Sequence, residues 1–257
     1  MPDHGGQATD SAGTPWVGRQ FEHNPFGGDD GSASPELVAA LSAFRRGETG
    51  EDVVVDAIRA ARLLAPLVAT LGESGSGEHG LLVDKSAELA IVTVAGPDGR
   101  RVLPIFTSVS AMAAWNPAAR PVPVSADRAC LAAASDGTEL MVLDPTSDTE
   151  FVVRRPALRA IAEGAAWIPS HRDADVHEAM RAAVVDVASV RGIRFASGDP
   201  VSRLAGPELA VTLELAPGLD SDALSVVLTR VSEAWSRSEI VALRVDSLAV
   251  TLAAASP

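Results

Sequence analysis

Apolar residues recur along the chain in two rhythms, and the changes of rhythm mark its elements. After Ser34-Pro35, an N-cap followed by a proline at the first helical position, Leu37, Val38, Leu41 and Phe44 fall on one helical face. A second helix is predicted over about 51–62, acidic where it begins and basic where it ends, as the helix dipole favours. The run Leu63-Leu-Ala-Pro-Leu-Val-Ala-Thr70 reads as a buried strand with Pro66 near an edge, and Gly72 to Gly80 as a flexible insertion. Residues 88–94, the turn Pro97-Asp98-Gly99 and residues 101–106 read as a strand, a turn and a returning strand. A short helix over 109–115 follows, with Trp115 as its core anchor, then a strand at 121–124 and a helix over 126–134. A hairpin pairs 139–143 with 150–154 through Asp144-Pro145, and Pro156 opens another helix.

Past Trp167-Ile168-Pro169 the pattern restarts. A helix is predicted over 175–190, strands over 192–196 and 208–215, a long helix over 221–236, and strands over 240–245 and 248–252. Helix, two strands, helix, two strands is the pattern of a small α+β sandwich of ferredoxin-like type. The expected fold class is therefore α/β (α+β), a mixed-sheet domain over 35–170 followed by a smaller ferredoxin-like domain over 171–257. Residues 1–34, rich in Gly, Asp, Ser and Pro, read as mostly disordered. A stretch at 16–26 carries Trp16, Phe21 and Phe26 and is expected to dock on the body.

Composition narrows the function. The 34 acids against 21 bases leave a net charge of −13, and the acids outnumber the bases in 1–50, in 51–170 and in 171–257 alike. Binding to nucleic acid or to anionic lipid needs clustered Lys and Arg, so neither is expected. A start without a basic or long apolar region argues against a signal peptide. The uncharged run Val102 to Ala119 is broken by Pro104, Asn116 and Pro117 and reads as strand, turn and helix rather than a membrane span. A cytoplasmic protein is expected. The single Cys130 excludes an intrachain disulfide and a cysteine-rich zinc site.

Motifs that suggest chemistry have simpler explanations. Gly75-Ser76-Gly77-Glu78-His79-Gly80 fits G-x-G-x-x-G, but a strand-like run follows it and two glutamates would repel phosphate, so it reads as a linker. His171, Asp173, Asp175, His177 and Glu178 crowd a helix start, where acids cap and complement the dipole, and no metal is expected there. Cys130, on an alanine-rich helix, reads as a small buried residue. Arg154-Arg155 ends a strand and reads as a solvated turn, with anion binding as the alternative. Asp84-Lys85 and Thr107-Ser108 lie at the ends of two neighbouring strands, where polar groups can converge; the structural alternative has Ser108 capping the next helix.

A series of motifs resembles the SseB family, the bacterial "enhanced serine sensitivity" proteins, and most of all its actinobacterial branch. They are Gly18-Arg19-x-Phe21 with Asn24-Pro25-Phe26, Asp84-Lys85-x-Ala87-Glu88-Leu89-Ala90, and Leu103-Pro104-Ile105-Phe106-Thr107-Ser108. Trp115-Asn116-Pro117, Pro121-Val122-Pro123-Val124, Leu143-Asp144-Pro145 and Phe151-Val152-Val153-Arg154-Arg155-Pro156 complete the match, over about 16–170. The family has no agreed activity, cofactor or catalytic residue, so the resemblance implies a non-enzymatic binding or regulatory protein. A protein–protein adaptor is expected, with Asp84, Lys85, Thr107, Ser108 and Asn116 as its interaction site, no cofactor and a protein partner. An amino-acid sensor is the alternative, with the second domain pairing sheet edge to sheet edge in a homodimer around the small molecule. An enzyme of unknown class is the third reading.

Overall fold

The computed structural model describes residues 26–70, 88–91 and 93–255, of which 31–255 lie in one compact unit. Most of the 16–26 stretch, the 72–80 insertion, Asp84 and Lys85 fall outside the described residues. The unit is α/β, with helices packed on three mixed or antiparallel sheets.

The first half opens with helices α1 (Pro35–Arg45) and α2 (Glu51–Ala60). Ser34 caps α1 by accepting the Leu37 amide, and Leu37, Leu41 and Phe44 face inward. Strand β1 (Arg62–Thr70) lies between β2 (Glu88–Ile91) and β5 (Arg120–Ser125), both antiparallel to it. A second sheet runs β3 (Val94–Ala95), β4 (Arg101–Ile105), β6 (Leu140–Leu143), β7 (Phe151–Arg154), with the β4–β6 pair parallel. Leu64 and Phe106 exchange both backbone hydrogen bonds, at 2.8 and 2.9 Å, and tie the two sheets together. Helices α3 (Val109–Trp115), α4 (Ala126–Ser135) and α5 (Arg155–Ala162) complete this half. Its core joins α1, α2, α4 and α5 to β1, β6 and β7, with Phe44 and Phe151 edge to face at 5.3 Å.

Pro66 is not near an edge. It sits in the central strand, opposite Pro121, and Leu64 sits opposite Pro123. Leu64 gives its amide and carbonyl to Phe106, away from β5, so Leu64–Pro123 and, two residues on, Pro66–Pro121 are non-hydrogen-bonded pairs. The prolines therefore remove no bond from the β1–β5 ladder.

The second half comprises α6 (Ala174–Ala182), β8 (Val190–Ser197), β9 (Leu209–Leu215), α7 (Ser221–Ser236), α8 (Glu239–Arg244) and β10 (Leu248–Ala254). The expected fourth strand at 240–245 is helix α8, and the sheet has three strands, ordered β10-β9-β8, rather than the ferredoxin-like four. Ser238 caps α8 through the Val241 amide, Glu239 and Arg244 suit its two ends, and Val241 and Val245 bury one helical face. β10 is parallel to β9, and the crossover that such a pair needs runs through α7 and α8. Helix α6 also ends eight residues before the expected Val190. The amides of Val184, Val185 and Val187 reach back only three residues, in turns suited to a β-branched run. Val176, Met180, Val211, Leu213, Val231 and Trp235 form the centre of a separate core.

Trp115 is only half-buried. It covers Phe106, with ring centroids 5.3 Å apart, whereas Phe106 is fully enclosed. Phe106→Ala is expected to cost about 3–5 kcal/mol and Trp115→Ala about 2 kcal/mol by urea unfolding. An equal or larger loss at Trp115 would contradict its placement as a lid rather than an anchor.

Candidate functional site

Of the residues proposed as an interaction site, Thr107, Ser108 and Asn116 are described, and each is used locally. Thr107 is 5% exposed; its amide donates to Asp144 Oδ1 at 2.8 Å and its hydroxyl to Asp144 Oδ2 at 2.7 Å. Asp144 is buried at the hairpin turn with φ of +45°, and Thr149 donates to it as well. Burial holds its carboxyl above the usual range, against the hydrogen bonds from Thr107 and Thr149. Ser108 caps α3 through the Ala111 amide, and Asn116 Oδ1 accepts the Ala118 amide in a turn. A partner reaching Thr107 would have to break the Asp144 contacts that close the β6–β7 hairpin.

The other candidates are also engaged. Cys130 is buried, and its thiol is pushed up to about 12 by burial and by Asp127, so it stays protonated at neutral pH. Asp173 caps α6 and, with Asp175, holds Arg244, at 3.1 and 2.9 Å. His177 stacks on Phe195 at 4.1 Å. Among the described residues no three His, Cys, Asp or Glu side chains are grouped to hold a metal.

Arg154 is neither a solvated turn nor an exposed anion site. Its guanidinium is buried, donating to Asp199 at 2.7 Å, to Asp246 at 3.2 Å, to Ser247 Oγ at 3.3 Å and to the Gly206 carbonyl at 2.9 Å. Arg100 adds two 3.0 Å bonds to Asp246, and Arg155 reaches the Val245 carbonyl at 2.6 Å. Asp199 also accepts the amides of Arg203 and Leu204, which shapes the β8–β9 loop. That loop inserts Leu204 among Val102, Leu140, Val142 and Val152, and its Ser202 carbonyl takes the Val152 amide on the edge of β7. At the loop's neck a side chain on Gly198 would meet the Pro207 carbonyl at 2.3 Å, and one on Gly206 the Gly198 carbonyl at 2.4 Å, so both positions require glycine. Glu51 accepts the Ser202 hydroxyl at 2.6 Å, and Glu208 accepts the Asp246 amide. Burial raises both carboxyls above their ordinary value.

Beside this network lies an open groove of about 390 Å³, between α5, the 163–168 connection and α8. Ile168, 54% exposed, and Leu243, 39% exposed, give it an apolar lining together with Trp167. Its charged rim is internally paired: Arg159 with Glu163 at 2.7 Å, Arg244 with Asp173 and Asp175.

Residues 37–160 match the family model described as the SseB protein N-terminal domain. This part of the chain is an SseB domain. No curated protein and no solved structure matches the chain. The SseB match ends within α5, so Arg154 belongs to the SseB domain while its partners Asp199, Asp246 and Ser247 lie outside it. The groove likewise combines the SseB domain's last helix with α8 from beyond the match. No helix among the described residues is long and apolar enough to cross a membrane.

The sequence reads Arg154 as part of a solvated turn, with anion binding as the alternative, and gives no sign of the groove. The one available signal was an arginine closing an otherwise apolar strand, Phe151-Val-Val-Arg154. Glu208 supplies a test of the network. Below its ordinary 4.5 the carboxyl is neutral folded or unfolded; as pH rises, the unfolded chain loses the proton first, so stability falls until the folded carboxyl also ionises. The stability of the wild type relative to Glu208→Gln should therefore decline from about pH 4.5 upward in urea unfolding. A pH-independent difference would contradict the buried placement of Glu208.

Proposed function

We propose that this protein is a non-enzymatic cytoplasmic adaptor that takes an apolar segment of a partner protein into the groove between α5 and α8. The observation that carries this reading is the exposure of Ile168 and Leu243 side by side with Trp167 in an open groove. Scattered surface apolar residues are ordinary; a concave cluster at the junction of two elements is where an anchor side chain can be desolvated. The paired rim favours a peptide over a free amino acid. An amino acid brings an ammonium and a carboxylate that need uncompensated partners, and Arg159, Glu163, Arg244 and Asp173 already neutralise one another. The protonated Cys130 thiol argues against cysteine chemistry.

The test is capture from extract of the native cell, using wild type, Ile168→Asp, Leu243→Asp and a Val226→Asp control on the exposed face of α7. One and the same partner should be retained by wild type and Val226→Asp and lost about tenfold or more from both groove variants, the scale of one desolvated anchor. A partner held equally by the groove variants, or a stoichiometric small molecule found on the wild type by native mass spectrometry instead, would overturn the reading.

A further inference from the structure

Strand β10 is an edge of the second-half sheet, and its composition differs from that of the other edges. Residues 248–254 read Leu-Ala-Val-Thr-Leu-Ala-Ala, without a charge, a proline or a glycine. On the opposite edge β8 carries Arg191, Arg194 and a register shift between Val190 and Gly192. The outer strand β5 carries Arg120, Pro121 and Pro123, and the Val152 amide on the edge of β7 is taken by the Ser202 carbonyl. Strands β2 and β3 are four and two residues long. Charges, prolines, bulges and short lengths are how edges resist pairing, and the seven-residue β10 has none of them.

The direction of its free backbone groups follows from the bonds it makes. The Leu209 amide donates to the Ser247 carbonyl at 3.0 Å, and the Ala255 amide donates to the Leu215 carbonyl at 2.9 Å. Odd-numbered residues of β10 therefore face β9, and alternation turns the N–H and C=O of Leu248, Val250, Leu252 and Ala254 outward. Among the described residues no strand occupies that side. The side chains of Val250 and Leu252 lie on the core face, in register with the buried Val211 and Leu213, yet each is 39% exposed.

We infer that β10 pairs antiparallel with β10 of a second copy of this chain, about a two-fold axis through Thr251, making one continuous six-stranded sheet. Thr251 is the midpoint of the strand, so this register gives the longest overlap. It also places Val250 opposite Leu252 and Leu248 opposite Ala254, pairs in which both members have outward-pointing backbone groups, as an antiparallel ladder requires. The same register brings Val250 of one copy against Leu252 of the other on the core face, covering the two half-exposed side chains. A second copy is favoured over a different partner by symmetry, because the strand is complementary to itself in this register. Each copy carries −13, so association through most of the surface sets acid against acid, whereas this strand brings no charge to the contact.

Light scattering and amide hydrogen exchange on the full chain test this. At about 100 µM the wild type should show a mass of about twice 26.5 kDa, and Val250→Lys and Leu252→Lys should each return it to 26.5 kDa. In the wild type the amides of Val250 and Leu252 should exchange slowly; in Val250→Lys the Leu252 amide should exchange at least about tenfold faster, while Thr251, bonded to β9, stays protected and reports that the sheet is intact. A wild-type mass of 26.5 kDa would overturn the pairing, as would a dimer that survives both lysine variants. If a variant fails to fold, the wild-type exchange pattern decides alone: an unprotected Val250 amide beside a protected Thr251 amide excludes a neighbour on this edge.

Discussion

The buried guanidinium of Arg154 is the constraint on which the arrangement of this chain depends. It leaves the last strand of the SseB domain and meets Asp199 and Asp246, two carboxylates from beyond that domain, together with Ser247 and the Gly206 carbonyl. A buried ion must have its hydrogen bonds satisfied, so the strand end, the β8–β9 loop and the α8–β10 turn are obliged to meet at one point. Leu204 then fills the apolar space over β4, β6 and β7, and the Arg155 contact to Val245 sets α8 beside α5. The groove between those helices thus depends on the charge network together with the Leu204 insertion, because the two larger apolar cores each lie within one half.

The network also gives sense to the acidity. The excess of acid over base is general along the chain, but a subset of carboxylates is buried and directed at arginines or at backbone amides. Asp199 and Asp246 face arginines. Glu208 and Glu51 are the outer members, enclosed more than they are compensated, and burial dominates their raised carboxyl affinities. Removing one partner of such a cluster costs more than the pair contributes, because the remaining charge is left buried.

Much of the first half is legible in the sequence because its boundaries are written in local chemistry. Ser34-Pro35, Ser108 and the Asp144-Pro145 turn each satisfy backbone groups within a few residues, and the matching helices and hairpin lie where those signals place them. Where tertiary context decides, the pattern misleads. Residues 240–245 have a strand's composition, yet the cap at Ser238 starts a helix there and Val241 buries its inner face. Pro66 has the signature of an edge residue and sits in a central strand because Pro121 and Pro123 share its non-bonded register. Thr107 and Ser108 lie at a strand end as expected, yet the strand-end argument could not reveal that Asp144, 37 residues on, holds Thr107. Arg154 is the extreme case: its partners lie 45 and 92 residues away, and no local pattern indicates them. The groove inherits the same difficulty, since its walls come from distant parts of the chain.

If Arg154 couples the SseB domain to the rest of the chain, the coupling should be visible in the cooperativity of unfolding. Calorimetry of the wild type is expected to show one transition whose calorimetric and van't Hoff enthalpies agree. Arg154→Leu leaves Asp199 and Asp246 buried without their shared cation, a loss of about 3–5 kcal/mol, and should split the profile into two transitions, one for each core. A single, unshifted transition in Arg154→Leu would show that the two cores are held together by something other than this arginine.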